Sequence, residues 1–161
     1  MAPEVFAALR GSLVEKLDGL NRLNDLADRH RDALIAHNVD EIVRLNKLQT
    51  DELSQLDRLQ RSSSKLMARV AGGVGIAPEN TCLSALADHL PEDQRSVLED
   101  LSLQLTEQAS RLALSSELNA NLSANALEYI RVTLQAVSDQ VNDETSSGRS
   151  QTVSLVLDTV A

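Results

Sequence analysis

The sequence predicts an all-α protein: an antiparallel three-helix, coiled-coil-like bundle of long helices, with a short extra helix after a Gly-rich loop and a mobile C-terminal tail. Three observations carry that prediction. Strand-building runs of aromatic and β-branched residues are missing; Phe6 and Tyr129 are the only aromatics among 161 residues, and there is no Trp. Leucines recur at helical three- and four-residue spacings over three long stretches. Glycine and proline crowd into residues 71–78, and Pro91 to Gln140 contains no glycine and no proline after the first position.

Helix one is predicted from about Pro3 to His37. Pro3 suits a first turn, where a missing N–H costs nothing, and Glu4 suits the positive helix end. Leu13, Leu20, Ala27 and Leu34 repeat every seven residues, with Leu17, Leu23 and Leu26 beside them and Leu9 leading in. Gly11 and Gly19 inside this helix weaken it by about 1 kcal/mol each relative to Ala, so tertiary packing must hold it. His37-Asn38-Val39-Asp40-Glu41 is the first break. Asn38 is placed to cap the next helix, with Glu41 three residues later as in a capping box. So short a break sends helix two back alongside helix one.

Helix two is predicted from about Val39 to Val70. Ile42, Leu45, Leu56, Leu59, Leu66 and Val70 form its seam, which Gln49, Glu52 and Ser63 interrupt; Leu48 and Leu53 lie beside it and are expected to cover the gap. Residues 71–79 then read as a loop with three glycines and a proline. That loop lacks the strand before it and the Lys-Ser/Thr that a phosphate-cradling loop requires. Thr81 is expected to open a short helix carrying Leu83, Leu86 and Leu90. Cys82 lies at that junction and is expected to be a small buried residue. As the only cysteine it excludes an internal disulfide and a Cys-based metal site.

Pro91 to Gln140 is predicted to be one long helix, roughly 75 Å at about 1.5 Å per residue. Between Leu101 and Leu127 its only charged residues are Glu107, Arg111 and Glu117, so this stretch is either covered by other helices or open to a partner. On a helical wheel Leu98, Leu101, Leu105, Leu112, Ala126, Ile130, Leu134 and Val137 form the main apolar stripe, with Gln108 and Asn119 on the same side. Leu103, Leu114 and Leu118 fall opposite, and Leu122 and Tyr129 between the two. The main stripe closes a bundle; the leucines opposite offer a binding face. Residues 142–152 are polar and small, and Val153, Leu155 and Leu157 end the chain. The domain is therefore expected over residues 1–141, and a flexible tail over 142–161.

Net charge is −9, the wrong sign for nucleic acid. Residues 1–39 carry six acids and five bases, 40–70 five and six, 71–100 six and one, and 101–161 seven and three, so the acidity lies in the second half. No run of apolar residues is long enough to span a membrane, and none at the start forms a signal peptide, which points to the cytoplasm. His30 and His37 are seven apart, not the i, i+4 spacing of helical chelation. No Glu-x-x-His pair and no nucleophile elbow occur. No catalytic, cofactor or metal site is expected. A ligand between helices would need convergent polar groups, for which Gln108, Ser115 and Asn119 are the only core-side candidates.

Two helices joined by Asn38-Val39-Asp40-Glu41 precede a Gly-Pro loop. A long helix follows with Glu117-Leu-Asn-Ala-Asn-Leu-Ser-Ala-Asn-Ala-Leu-Glu-Tyr-Ile130, and the end is Leu157-Asp-Thr-Val-Ala161. This order of parts resembles the FlgN family of flagellar type III export chaperones. The resemblance covers nearly the whole chain. It implies a cytoplasmic, non-catalytic helper that binds the C-terminal segments of hook-associated proteins, keeps them unassembled and brings them to the export gate. Carried onto this sequence, client contact falls on Leu103, Leu114, Leu118, Asn119, Leu122 and Asn125, and export-gate docking on Tyr129. Residues alone leave open a coiled-coil adaptor acting through self-association as a homodimer.

Overall fold

The computed structural model describes the backbone of residues 3–77 and 81–158, and the side chains of residues 4–77 and 81–139. The described residues form four helices: α1 (Pro3–Ile35), α2 (Val39–Val74), α3 (Leu83–Ala87) and α4 (Glu92–Asp158). No strand occurs among the described residues. The chain divides into two compact units, Met1–Ala120 and Asn121–Ala161.

In the first unit the turn between α1 and α2 is closed by backbone and side chain together. His37 N–H donates to Leu34 O (3.2 Å) and Asn38 N–H to Ala33 O (3.0 Å), the paired bonds of a Schellman motif. His37 takes the left-handed position at φ 52°, where glycine is the usual residue. Asn38 then caps α2, its Oδ1 accepting from Glu41 N–H at 3.2 Å. The capping box is only half formed, because the Glu41 carboxylate turns instead to Arg44 (2.6 Å) and Arg29 (3.3 Å). Those guanidiniums, Arg44 first, hold the Glu41 carboxyl below its ordinary range.

α2 returns along α1: Lys16 meets Gln60, Arg22 meets Glu52 at 2.6 Å, and Arg29 meets Glu41, the partners descending as α1 ascends. This explains one polar interruption of the α2 seam, since Glu52 is the acceptor for Arg22. Another, Ser63, is buried and donates to Gln60 O at 3.0 Å. Leu48 and Leu53 are exposed and do not cover the seam as expected, because the Arg22–Glu52 pair occupies that level. Gly19 faces α2 at close range. A Cβ there would lie 3.1 Å from Leu56 Cδ1 and 3.4 Å from Glu52 Oε1, so the residue that weakens α1 locally also admits α2.

α2 runs to Val74, beyond the end at Val70 that the sequence predicts, because Gly72 and Gly73 are tolerated inside the helix. Gly75 ends it at φ 76°, with Ile76 N–H reaching Ala71 O at 2.9 Å. Cys82, not Thr81, caps α3, its Sγ accepting from Ala85 N–H at 3.4 Å. That capping role needs the side chain beside the helix end, so Cys82 is exposed, contrary to the buried position expected. The Ser84 hydroxyl and then the Ala85 N–H lower the pKa of its thiol.

One apolar cluster joins all four helices: Leu9, Leu13 and Leu20 from α1, Val70 and Ala71 from α2, Leu86 from α3, and Leu98, Leu101 and Leu105 from α4. Phe6, Leu17, Leu56, Leu66 and Leu112 pack around it. α4 continues past Gln140, where the sequence predicts its end, to Asp158. A single glycine and no proline over residues 141–158 leave nothing to break it. Its backbone thus takes in much of the segment expected as a tail; Val153, Leu155 and Leu157 have side chains outside the described residues.

Candidate protein-binding face

The first part of α4 has two chemically distinct sides. Toward the core, Leu98, Leu101 and Leu105 are buried, as their stripe predicts. One turn further the inner side becomes polar. Asn24 of α1 donates from Nδ2 to Gln108 O (3.1 Å) and Gln108 Oε1 (3.0 Å). Arg111 pairs with Asp28 at 2.7 Å. Ser115 is buried, and Asn119 Nδ2 donates to Ala27 O at 2.8 Å. Gln108 and Asn119 therefore tie α4 to α1, and Ser115 is buried between them. Each such hydrogen bond adds only about 0.5–1.5 kcal/mol net, less than a buried leucine.

Away from the core the leucines are bare. Leu103 is 68% exposed, Leu114 69% and Leu118 45%. Beside Leu103 a hollow of about 300 Å³ opens between α3 and α4, lined by Leu83, Ser84, Leu98, Glu99, Ser102, Leu103 and Thr106. This side carries bare leucines with Glu107 and Glu117 exposed among them, and it suits an amphipathic helix laid along it. Asn119 does not belong to it. It is buried and hydrogen-bonded to α1, so its assignment to client contact is corrected: the wheel places Asn119 with Gln108 on the core side, and there its amide is used.

In the second unit Leu122 is half-buried and Asn125 exposed. Tyr129 is 73% exposed, and its backbone carbonyl accepts from Thr133 Oγ1 at 2.8 Å. Ile130, Leu134 and Val137, expected on the stripe that closes the bundle, are exposed; that stripe is buried as far as Leu105 and half-buried at Leu112 and Ala126. Arg131 grips Glu128 through two nitrogens at 3.0 and 2.8 Å, which lowers the carboxyl pKa.

Asn24 and Asp28 were not legible as partners of α4. Asn24 lies between Leu23 and Ala27 on the seam side of α1, which is the one signal that could have found it: an amide on an apolar stripe needs a partner. Among the described residues no group of three or more His, Cys, Asp or Glu side chains is placed to hold a metal ion, and no helix is long and apolar enough to cross a membrane.

Comparison with known protein families matches residues 1–153 to the family described as FlgN protein. No curated protein and no solved structure matches the chain. With the match reaching from residue 1 to residue 153 of 161, the chain belongs to the FlgN family of flagellar export chaperones.

Proposed function

We propose that the protein acts in the cytoplasm as a flagellar export chaperone that binds the C-terminal helical segments of hook-associated proteins. It keeps them from assembling early and delivers them to the export gate. A three-helix, coiled-coil-like bundle of α1, α2 and the first part of α4 serves as the platform. The observation that carries this reading is the bare leucine side of α4, Leu103, Leu114 and Leu118, in a member of this family. An amphipathic client helix covers such a side with its own apolar face, and ordering the client limits the affinity enough to permit release. In the second unit the same reading gives Leu122 and Asn125 to client contact and exposed Tyr129 to docking at the export gate.

Copurification with a hook-associated protein tests the reading. Leu114→Asp with Leu118→Asp should abolish capture while circular dichroism reports unchanged helicity. Failure of the wild-type chain to bind any hook-associated C-terminal segment overturns it.

A second reading, an adaptor that self-associates, draws on Leu127, Ile130, Leu134 and Val137. All four are exposed and follow a 3-4-3 spacing like a coiled-coil seam. Light scattering separates the two: a stable dimer indifferent to client segments favours the adaptor.

A further inference from the structure

We propose that the bare leucine side of α4 selects its partner by charge as well as by shape. It takes an amphipathic protein helix with a Lys or Arg on each flank of its apolar stripe, about ten residues apart to match Glu107 and Glu117, and seats one large apolar side chain of that helix in the hollow between α3 and α4. The inference rests on the chaperone reading above, for which it names the kind of client helix; the preference of this side for a basic helix is measurable without that reading.

At about 3.6 residues per turn, Glu92, Glu99, Asp100, Glu107 and Glu117 fall within roughly 60° of Leu103 around α4, and all of them are exposed. No basic residue of residues 92–120 falls there. The two bases of that stretch, Arg95 and Arg111, are engaged at its edges: Arg95 with Glu99 at 2.8 Å and Asp88 at 3.4 Å, Arg111 with Asp28 of α1 at 2.7 Å. Glu107 and Glu117 are in no ion pair among the described residues. They stand on opposite edges of the line from Leu103 to Leu114, roughly 15 Å apart along the helix at about 1.5 Å per residue. Exposed carboxylates are well solvated, so each adds little affinity by itself; together they favour a cation beside the leucines and penalise an anion there. Nucleic acid and anionic membrane are repelled, and a second copy laid on this side would set acid against acid. The hollow of about 300 Å³ beside Leu103, with Leu83 and Leu98 also in its lining, has room for one large apolar anchor. Cys82 Sγ lies 3.2 Å from the hydroxyl of Ser84, which borders the hollow, so its thiol reports whether the hollow is covered.

The test is anisotropy titration of the full chain with two fluorescein-labelled designed helical peptides, which share one leucine stripe and differ only in whether the two flanking residues are Lys or Glu. At about 50 mM salt the Lys peptide should bind at least roughly tenfold tighter than the Glu peptide, and the gap should shrink at about 500 mM. Glu107→Lys with Glu117→Lys should abolish or invert that preference. Asp25→Lys with Asp51→Lys, which makes the same change in net charge at exposed sites of α1 and α2, should keep most of it. Equal binding of the two peptides by the wild-type chain, or an equal loss of preference in both variants, overturns selection by this side of α4. Saturating Lys peptide should slow iodoacetamide alkylation of Cys82 at least roughly fivefold, and an unchanged rate overturns the seat in the hollow. A C-terminal segment of a hook-associated protein, titrated in the same way, should bind Glu107→Lys with Glu117→Lys at least roughly fivefold more weakly than wild type. Undiminished binding of that segment overturns charge selection of the client and leaves the chaperone reading standing. If no such segment binds the wild-type chain, the chaperone reading fails, while a Lys preference that is lost only in the α4 variant still supports the selectivity of this side.

Discussion

Truncating Leu105 and Leu114 one at a time should separate the two sides of α4. Leu105 is 7% exposed and touches the apolar cluster; Leu114, on the same helix, is 69% exposed. Leu105→Ala removes a nearly complete buried side chain and leaves a cavity, which costs about 2–5 kcal/mol. For Leu114 the fold hides about a third of the surface, and full burial of a leucine is worth 1.5–3 kcal/mol, so Leu114→Ala should cost at most about 1 kcal/mol. Urea unfolding followed by circular dichroism reads the difference. With an m-value of roughly 2 kcal/mol/M, the midpoint should fall by roughly 1–2.5 M for Leu105→Ala and by under about 0.5 M for Leu114→Ala. The surface that Leu114 still offers is worth about 1–2 kcal/mol to a partner, so the same substitution should weaken client binding roughly 5- to 30-fold. Equal midpoint losses for the two variants would refute the division of α4 into an inner and an outer side.

His37→Gly should stabilise the chain by up to about 1 kcal/mol, measured as a higher urea midpoint, because His37 holds a left-handed position at φ 52°. Gly11→Ala meets nothing within 4 Å and should add about 0.5–1 kcal/mol, whereas Gly75→Ala, at φ 76°, should lower stability by about 1 kcal/mol. Asn38→Ala removes the cap on Glu41 N–H and should cost about 1 kcal/mol in the same assay. Burial lowers the pKa of His30 below its ordinary 6.5, so the folded chain binds fewer protons there than the unfolded one. The stability it contributes should be complete above pH 6.5 and decline as pH falls through its folded pKa; His30→Gln should flatten that part of the thermal stability profile.

Most of the helix order was legible because punctuation and seam agree. Asn38 marks the first turn, Gly75 and its neighbours the second, and Leu9, Leu13 and Leu20 fall on the buried side as their spacing requires. Boundaries were less legible where a weak breaker competes with continued packing: Gly72 and Gly73 stay helical, while Val70 and Ala71 lie in the core. The outer leucines Leu103, Leu114 and Leu118 were readable from the wheel alone, since a leucine opposite the core stripe has nowhere to hide. Asn119 was harder. One helix's periodicity gives its direction but not its partner, and Ala27 O comes from another helix. The wheel also assumes that a stripe stays covered along its whole length, which is why it overextended to Ile130, Leu134 and Val137. Cys82 was misplaced because burial statistics for cysteine do not anticipate a capping thiol.

The claim that the bare side of α4 receives the client is tested most directly by methyl NMR of leucine-labelled protein. A C-terminal segment of a hook-associated protein would be added stepwise. Leu103, Leu114 and Leu118 are exposed and should shift or broaden first, while Leu9, Leu13 and Leu98, fully or almost fully buried in the core, should hold their positions. Perturbation confined to other leucines, with Leu103, Leu114 and Leu118 unmoved at saturation, would contradict it.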